Sequence, residues 1–258
     1  MTAVEVHAVV EGPDDAPVLL LSNSLGADHT MWDPQVPALT QRFRVVRYDT
    51  RGHGRSPAVP GDATIDDLAD DVIALLDRLG VAQVHVAGLS IGGMTGLRLA
   101  VRESQRVASL AVLCSSAYTG NPQNWRERAE TARTQGTGAL AETVVSRWLT
   151  PGCAAQHPDL VARLEAMVRA ADDEGYAGCC AAIAAMDQRS DLARITAPTL
   201  VISGADDPAL PPEHQQVIAD GIPGAQLLSL SPAAHLANLE QPEQVTDALI
   251  AHATGGTA

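Results

Sequence analysis

The stretch Val84-His85-Val86-Ala87-Gly88-Leu89-Ser90-Ile91-Gly92-Gly93 decides how this chain is read. A short apolar run with strand character enters a Gly-x-Ser-x-Gly turn, and a helical pattern opens at Ile91. So sharp a strand-to-helix turn holds its serine in a strained backbone conformation and lifts the hydroxyl clear of the sheet. Gly88 and Gly92 fall where side chains would collide across the bend, and lacking a Cβ they avoid the clash. The helix that follows turns free N–H groups and a positive dipole end toward any oxyanion formed beside Ser90. Strand before and helix after distinguish a nucleophile turn from a chance cluster of small residues.

Outward from that turn, short β-branched runs alternate with helical periodicity. Residues 4–9, 18–21, 44–48, 84–87 and 107–113 read as strands, and 32–41, 65–79 and 91–102 as helices. Ile65, Leu68, Ala69, Val72, Ile73, Leu75, Leu76 and Leu79 keep the three-to-four spacing of a buried helical face. Strand and helix taking turns imply a mostly parallel sheet covered on both sides. From about 118 to 196 the strands stop, and 125–133, 139–148, 160–171 and 176–186 read as helices. The alternation then resumes with a strand at 198–204, a helix at 212–222, a strand at 226–230 and a helix at 242–252. This predicts an α/β core over 1–117 and 197–258. An all-helical lid over 118–196 covers the sheet's carboxyl edge, where such folds bind ligands.

A chain of 258 residues, 46% hydrophobic, can bury one large core together with a small inserted subdomain. With only 3% aromatic residues, that core must be built from Ala, Val and Leu. A net charge of −14 with no Lys/Arg-rich stripe argues against nucleic acid and anionic membranes as partners. An anionic small substrate would need a local arginine to offset the same charge. Cys114, Cys153, Cys179 and Cys180 lack zinc-type spacing and read as reduced thiols of a cytoplasmic protein, with Cys179 and Cys180 packed in a helix. The first twelve residues carry Glu5 and no basic segment ahead of an apolar run, which is not a signal peptide. No apolar run is long enough to cross a bilayer, and the Gly/Ala/Thr tail after His252 reads as a frayed end.

A serine nucleophile needs a base, and the base needs an orienting acid. In the fold that the turn implies, the chain order is serine, then Asp or Glu, then histidine. Of the downstream histidines, His157 falls among the inserted helices, His214 at a helix start and His252 near the tail. His235 directly follows the strand at 226–230, on the same sheet edge as Ser90, and is the expected base. Gly204-Ala205-Asp206-Asp207-Pro208 follows the preceding strand and supplies the acid. Asp207, just before the proline, is preferred, with Asp206 the competing candidate, otherwise a loop-capping carboxylate. The second oxyanion donor is expected after an early strand, in Ser22-Asn23-Ser24-Leu25-Gly26, so that the Leu25 and Ile91 N–H groups meet the developing charge.

Three motifs occur together: Asn23-Ser24-Leu25-Gly26 followed by Met31-Trp32-Asp33, Tyr48-Asp49-Thr50-Arg51-Gly52-His53-Gly54-Arg55-Ser56, and Gly88-Leu89-Ser90-Ile91-Gly92-Gly93. On these the chain resembles the bacterial 3-oxoadipate enol-lactonases of the α/β-hydrolase fold. The likeness continues through Gly175-Tyr176 and Cys180-Ala181-Ala182 to Ala234-His235-Leu236. Asn23-Ser24 stands where many α/β-hydrolases carry His-Gly, which favours the lactonases over generic esterases. The resemblance implies a small anionic substrate, a five-membered enol lactone with a carboxymethyl arm, opened without metal or organic cofactor. Its carboxylate needs a cation, and Arg128 with Trp125 and Trp148 is the expected pocket, beside Ser24. The alternative is that Arg128 and Arg147, which adjoins Trp148, lie on solvated faces and the tryptophans only anchor the helices. Rival functions on the same scaffold are hydrolysis of another ester or lactone, cofactor-free peroxide or oxygen chemistry, and non-catalytic ligand binding.

Other candidates read as structural. His53 precedes the nucleophile, the wrong order for a base, and is expected to brace its turn. His85 belongs to a central strand as a satisfied core histidine, and His7 and His29 carry no signal. Met94 and Met186 are expected to fill gaps, with Met186 able to reach the pocket. Asp66-Asp67 and Asp70-Asp71 are expected on the solvated side of their helix.

Overall fold

The computed structural model describes residues 3–255, so the last three residues of the Gly/Ala/Thr tail lie outside it. The strands among them are β1 (Ala8–Glu11), β2 (Val18–Ser22), β3 (Arg44–Tyr48), β4 (Val84–Leu89), β5 (Val107–Leu113), β6 (Thr199–Gly204) and β7 (Gln226–Leu230). They form one sheet in the order β1-β3-β2-β4-β5-β6-β7, in which only the β1–β3 pairing is antiparallel. The helices flanking it are α1 (Val36–Leu39), α2 (Ile65–Arg78), α3 (Ile91–Arg102), α9 (Pro212–Gly221), α10 (Ala237–Glu240) and α11 (Pro242–Ala253). Between β5 and β6 the chain is helical throughout: α4 (Pro122–Gln135), α5 (Ala141–Val145), α6 (Pro151–Gln156), α7 (Pro158–Ala170) and α8 (Asp173–Ala185).

Period-two alternation explains why the sheet is buried on both faces. Leu19 and Leu21 of β2, Ala111 and Leu113 of β5, and Leu200 and Ile202 of β6 join one core cluster with Leu39 of α1 and Val245 and Leu249 of α11. Their neighbours Leu20, Leu110, Val112 and Val201 point the other way, against Val72, Leu75 and Leu76 of α2, Leu97 of α3 and Ile218 of α9. Strand registers pair Ser22 with Gly88, Leu89 with Leu113, Leu113 with Ile202, and Gly204 with Leu230. The carboxyl ends of five parallel strands are therefore level, and the loops leaving them meet at one edge. A third cluster seals that edge, joining Leu25, Ile91 and Met94 to Ala129 and Ala132 of α4 and Tyr176, Cys179, Cys180 and Ile183 of α8.

Several elements differ from the sequence reading, each for a local reason. The first strand begins at Ala8, because the Val4 and His7 N–H groups donate to the side chains of Asp71 and Ser56 instead of entering a strand ladder. The expected helix at 32–41 is a 3-10 turn over His29–Trp32 followed by α1, with Pro34 between them and Pro37 tolerated in the first turn of α1. The expected helix at 139–148 is a 3-10 turn at Thr137–Ala139 followed by the short α5. Helix α6 has no apolar period to announce it; Pro151 opens it and the Thr150 hydroxyl accepts from Cys153 N–H at its start. A further 3-10 turn at Arg189–Arg194 packs Leu192 into the same cluster as α2, α3 and α9.

The acidic face of α2 is the largest correction. Asp66 and Asp70 do face solvent and pair with Arg98 and Arg102. Asp67 is buried and closes a capping box with Thr64. Asp71 is also buried and takes both Nε and Nη2 of Arg51, at 2.6 and 2.7 Å. Its neutralising charge comes from the Arg51–Ser56 loop, which helical periodicity does not register. Met94 and Met186 pack in the cluster that seals the sheet edge.

Candidate active site

Ser90 has φ 58° and ψ −120°, a left-handed backbone at a non-glycine residue between β4 and α3. The glycines around it are required sterically. A Cβ on Gly88 would strike the carbonyl of Gly92, and one on Gly92 would strike that of Ser22. The turn is pinned by Ser90 N–H to Leu113 O (2.9 Å), Gly92 N–H to Asn23 O (3.0 Å) and Ser115 Oγ to Ser90 O (2.6 Å). The Ser90 hydroxyl itself makes no hydrogen bond among the described residues.

His235 and Asp207, separated by 28 positions in the chain, meet at 2.8 Å from Nδ1 to Oδ2, with both side chains almost wholly buried. A carboxylate only accepts, so in a neutral imidazole held this way the proton sits on Nδ1 and Nε2 carries the lone pair. Oδ1 of Asp207 accepts from the N–H groups of Ala209 and Leu210 at 2.8 and 3.0 Å, which fixes the carboxylate plane. Asp206 is exposed and accepts instead from Ala233 N–H at 3.2 Å, holding the loop that leads to His235. Of the two aspartates, the structure brings Asp207 to the imidazole.

Backbone donors beside Ser90 are sorted with the same economy. Ser24 N–H points to the Met31 sulfur, Gly26 N–H donates to His53 Nε2, and Gly92 N–H is taken by Asn23. The N–H groups of Leu25 and Ile91, between these, have no acceptor among the described residues. Asn23 anchors the first loop from inside, its Nδ2 donating to Tyr48 O at 2.7 Å and its Oδ1 accepting from Trp32 Nε1 at 3.1 Å. The His53 ring bridges Gly26 N–H and Arg51 O, and burial holds its pKa below the ordinary value.

Ser90 and His235 open into a cavity of about 340 Å³ that Ser24, Leu25, Trp125, Arg128 and Trp148 also line. Every side chain of the expected pocket thus lines the same cavity as Ser90. Arg128 stacks over Trp125 (5.1 Å) and donates through Nε and Nη2 to the Tyr176 hydroxyl, Nε at 2.7 Å. It has no carboxylate partner among the described residues, and neither does Arg147 on the same wall. Arg147, weighed with Arg128 as a lid arginine, lines the wall as well, whereas His214 is read from the sequence only as a residue at a helix start. His214 lines the cavity and hydrogen bonds through Nδ1 to Ser116 Oγ at 2.8 Å. A signal did exist: α9 follows the loop after β6, so its first turn starts at the same sheet edge as Asp207.

Comparison with known proteins agrees with this geometry. Residues 17–242 match the family described as alpha/beta hydrolase fold. The chain is 40% identical to 3-oxoadipate enol-lactonase 2 of Acinetobacter baylyi, over 95% of this chain and 92% of that protein. Among solved structures it superposes on the enol-lactonase from Burkholderia xenovorans LB400 with a TM-score of 0.95 and 42% identity, covering 97% of each chain. A thermophilic esterase from Thermogutta terrifontis, solved with malate bound, gives a TM-score of 0.90 at 33% identity, covering 96% of this chain and 92% of that one. With its parallel sheet, its strained serine turn and these matches, the chain belongs to the α/β-hydrolase fold family.

Proposed function

We propose that this protein is a carboxylic-ester hydrolase that opens 3-oxoadipate enol-lactone to 3-oxoadipate through a Ser90–His235–Asp207 triad. The observation that carries the reading is the buried Asp207–His235 pair beneath a cavity shared by Ser90 and two arginines without carboxylate partners. His235 Nε2 takes the Ser90 proton as Oγ attacks the lactone carbonyl. The N–H groups of Leu25 and Ile91 hold the oxyanion, each donor contributing roughly 3–4 kcal/mol by the usual mutational yardstick. Collapse breaks the ring C–O bond and expels an enolate oxygen, which receives the proton from His235 and passes to the ketone. Because the leaving group stays tethered, the acyl-enzyme carries the whole substrate. Water deprotonated by His235 then releases the acid and restores Ser90.

Arg128, stacked on Trp125 and fixed by Tyr176, binds the carboxymethyl group; a planar fork with no competing carboxylate suits that task. The helical segment 118–196 supplies most of the cavity wall and serves as its lid. No described helix is long and apolar enough to cross a membrane. The four cysteines are unpaired, in keeping with a cytoplasmic enzyme. Following the loss of ultraviolet absorbance of the enol lactone tests the proposal. Wild type should consume it and Ser90→Ala should not. Brisk turnover of plain esters with none of the lactone would reassign the substrate within the same chemistry.

A further inference from the structure

Among the described residues, the hydrolytic machinery leaves one convergent group of metal-ligating side chains unused: His7, His29 and Asp49. They come from three chain segments, the residue before β1, the first residue of the 3-10 turn after β2, and the residue after β3. One donor atom from each lies within 4.8 Å of the others, and His29 Nδ1 is 2.8 Å from Asp49 Oδ1. The two imidazoles meet edge to face, with centroids 5.6 Å apart and planes at 67°.

The geometry points to a binding site for a zinc-type transition-metal dication at His7, His29 and Asp49. Two imidazoles and one carboxylate are the donor set of such ions, whereas calcium and magnesium take oxygen. A simple His29–Asp49 hydrogen bond accounts for two of the three residues but not for His7. Its Nε2 is shut off from solvent and has no hydrogen-bond partner among the described residues. The residue as a whole is partly buried, but a polar atom cut off from water calls for a partner, and a metal supplies one. The backbone around it is already fixed, with His7 N–H on Ser56 Oγ (2.8 Å) and His7 O accepting from Asp49 N–H (3.0 Å).

The carboxylate is oriented as metal ligands usually are. Its Oδ1 accepts from His29 N–H at 2.8 Å and its Oδ2 from Arg55 N–H at 2.9 Å. A neutral His29 can pass its proton from Nδ1 to Nε2, so the metal takes Nδ1 without expelling a proton to solvent. His29 keeps 17% of its side chain exposed, which leaves an open side for a water ligand. Arg47 touches this corner through His29 O but is paired with Glu11 and Asp33. The Arg55 side chain, whose charge reaches His7, is exposed and screened by solvent.

The test is calorimetric titration of the full-length protein, stripped with EDTA and reduced, with zinc chloride. A Cys153→Ser background removes the partly exposed thiol as a competing ligand. We expect one zinc ion per chain and a thermal midpoint that rises with zinc. His7→Ala and His29→Ala should each weaken binding at least about tenfold and abolish the rise. Ester turnover in metal-free buffer reports that each variant is folded. Should either fail that check, His7→Gln and His29→Gln, which retain a hydrogen-bonding side chain, replace them. No zinc binding by the parent protein, or binding undiminished in both variants, overturns the site.

Discussion

His53 Nε2 accepts a hydrogen bond from Gly26 N–H at 2.9 Å, and through it the Arg51–Ser56 loop holds the loop that carries Leu25. The other ring nitrogen donates to Arg51 O at 3.0 Å, so the imidazole bridges two loops as a neutral group. Burial, the largest influence on its pKa, keeps it in that form by depressing the value below the ordinary one. A histidine before the nucleophile in sequence thus has a positioning task, one residue away from a proposed oxyanion donor.

Replacing that bridge should therefore lower kcat more than it raises KM. His53→Ala is expected to cost about 10–100-fold in kcat, somewhat less than outright loss of one oxyanion donor. Steady-state kinetics at neutral pH check this. A change confined to KM would separate His53 from the oxyanion loop.

The two neighbouring aspartates should behave very differently. Asp207→Asn removes the acceptor that sets the His235 tautomer and should lower kcat by roughly 10⁴-fold, as tautomer loss does in other serine hydrolases. Asp206→Asn keeps an acceptor for Ala233 N–H and should leave kcat within about twofold. Parallel rate measurements on the pair distinguish a triad acid from a loop carboxylate.

Arg128 should discriminate substrates by charge. A charge-assisted hydrogen bond contributes about 1.5–3 kcal/mol, so Arg128→Gln should reduce kcat/KM for the anionic lactone roughly 10–150-fold. A neutral aryl acetate should be affected far less. Equal losses on both substrates would show that Arg128 supports the lid and does not bind the carboxylate.

Arg51 and Asp71 make a buried ion pair at 2.6 Å, with Arg51 Nη1 unpartnered and Val4 N–H also on Asp71. Burial is the main influence raising the Asp71 pKa, and the Arg51 guanidinium opposes it. Removing one partner strands the other charge. Asp71→Asn should therefore destabilise the fold by about 3–5 kcal/mol in urea unfolding, and the double change Arg51→Met with Asp71→Leu by less.

Stability should also fall on mild acidification. His85 bonds to Ser109 Oγ at 2.9 Å and His252 Nε2 to Leu110 O at 3.1 Å. Burial lowers the pKa of both from the ordinary 6.5; each His85–His252 charge pair would lower His85 further, while the Leu110 and Pro198 carbonyls partly restore His252. The unfolded chain then binds more protons than the folded one just below 6.5, so stability rises with pH there. It is complete above that value and is lost as pH drops through the depressed folded pKa. Thermal midpoints across this range should slope upward with pH, and His85→Gln should flatten the slope.

The features legible in the sequence are those whose signal is local. Ser90, Asp207 and His235 each closely follow an apolar strand, so period and chain order place them at the same sheet edge. Leu25 is read in the same way, from the strand ending at Ser22. Features made by encounter were not legible. Nothing near Asp71 in sequence announces Arg51, and the apolar stripe of α2 gives no sign that two of its acids, Asp67 and Asp71, are buried. His214 stands between the two cases: the order of β6, loop and α9 brings it to the sheet edge, but no motif marks it. The break at Pro34 and the late start of β1 were lost to apolar runs that extend beyond the true ends.

Peptide mass spectrometry of protein quenched in acid during enol-lactone turnover examines the proposed covalent chemistry at its source. The peptide containing Ser90 should gain the mass of the intact lactone, because ring opening releases nothing until water arrives, and Ser90→Ala should show neither adduct nor turnover. Turnover that persists in Ser90→Ala, or an adduct on a different side chain, would contradict a mechanism centred on this serine.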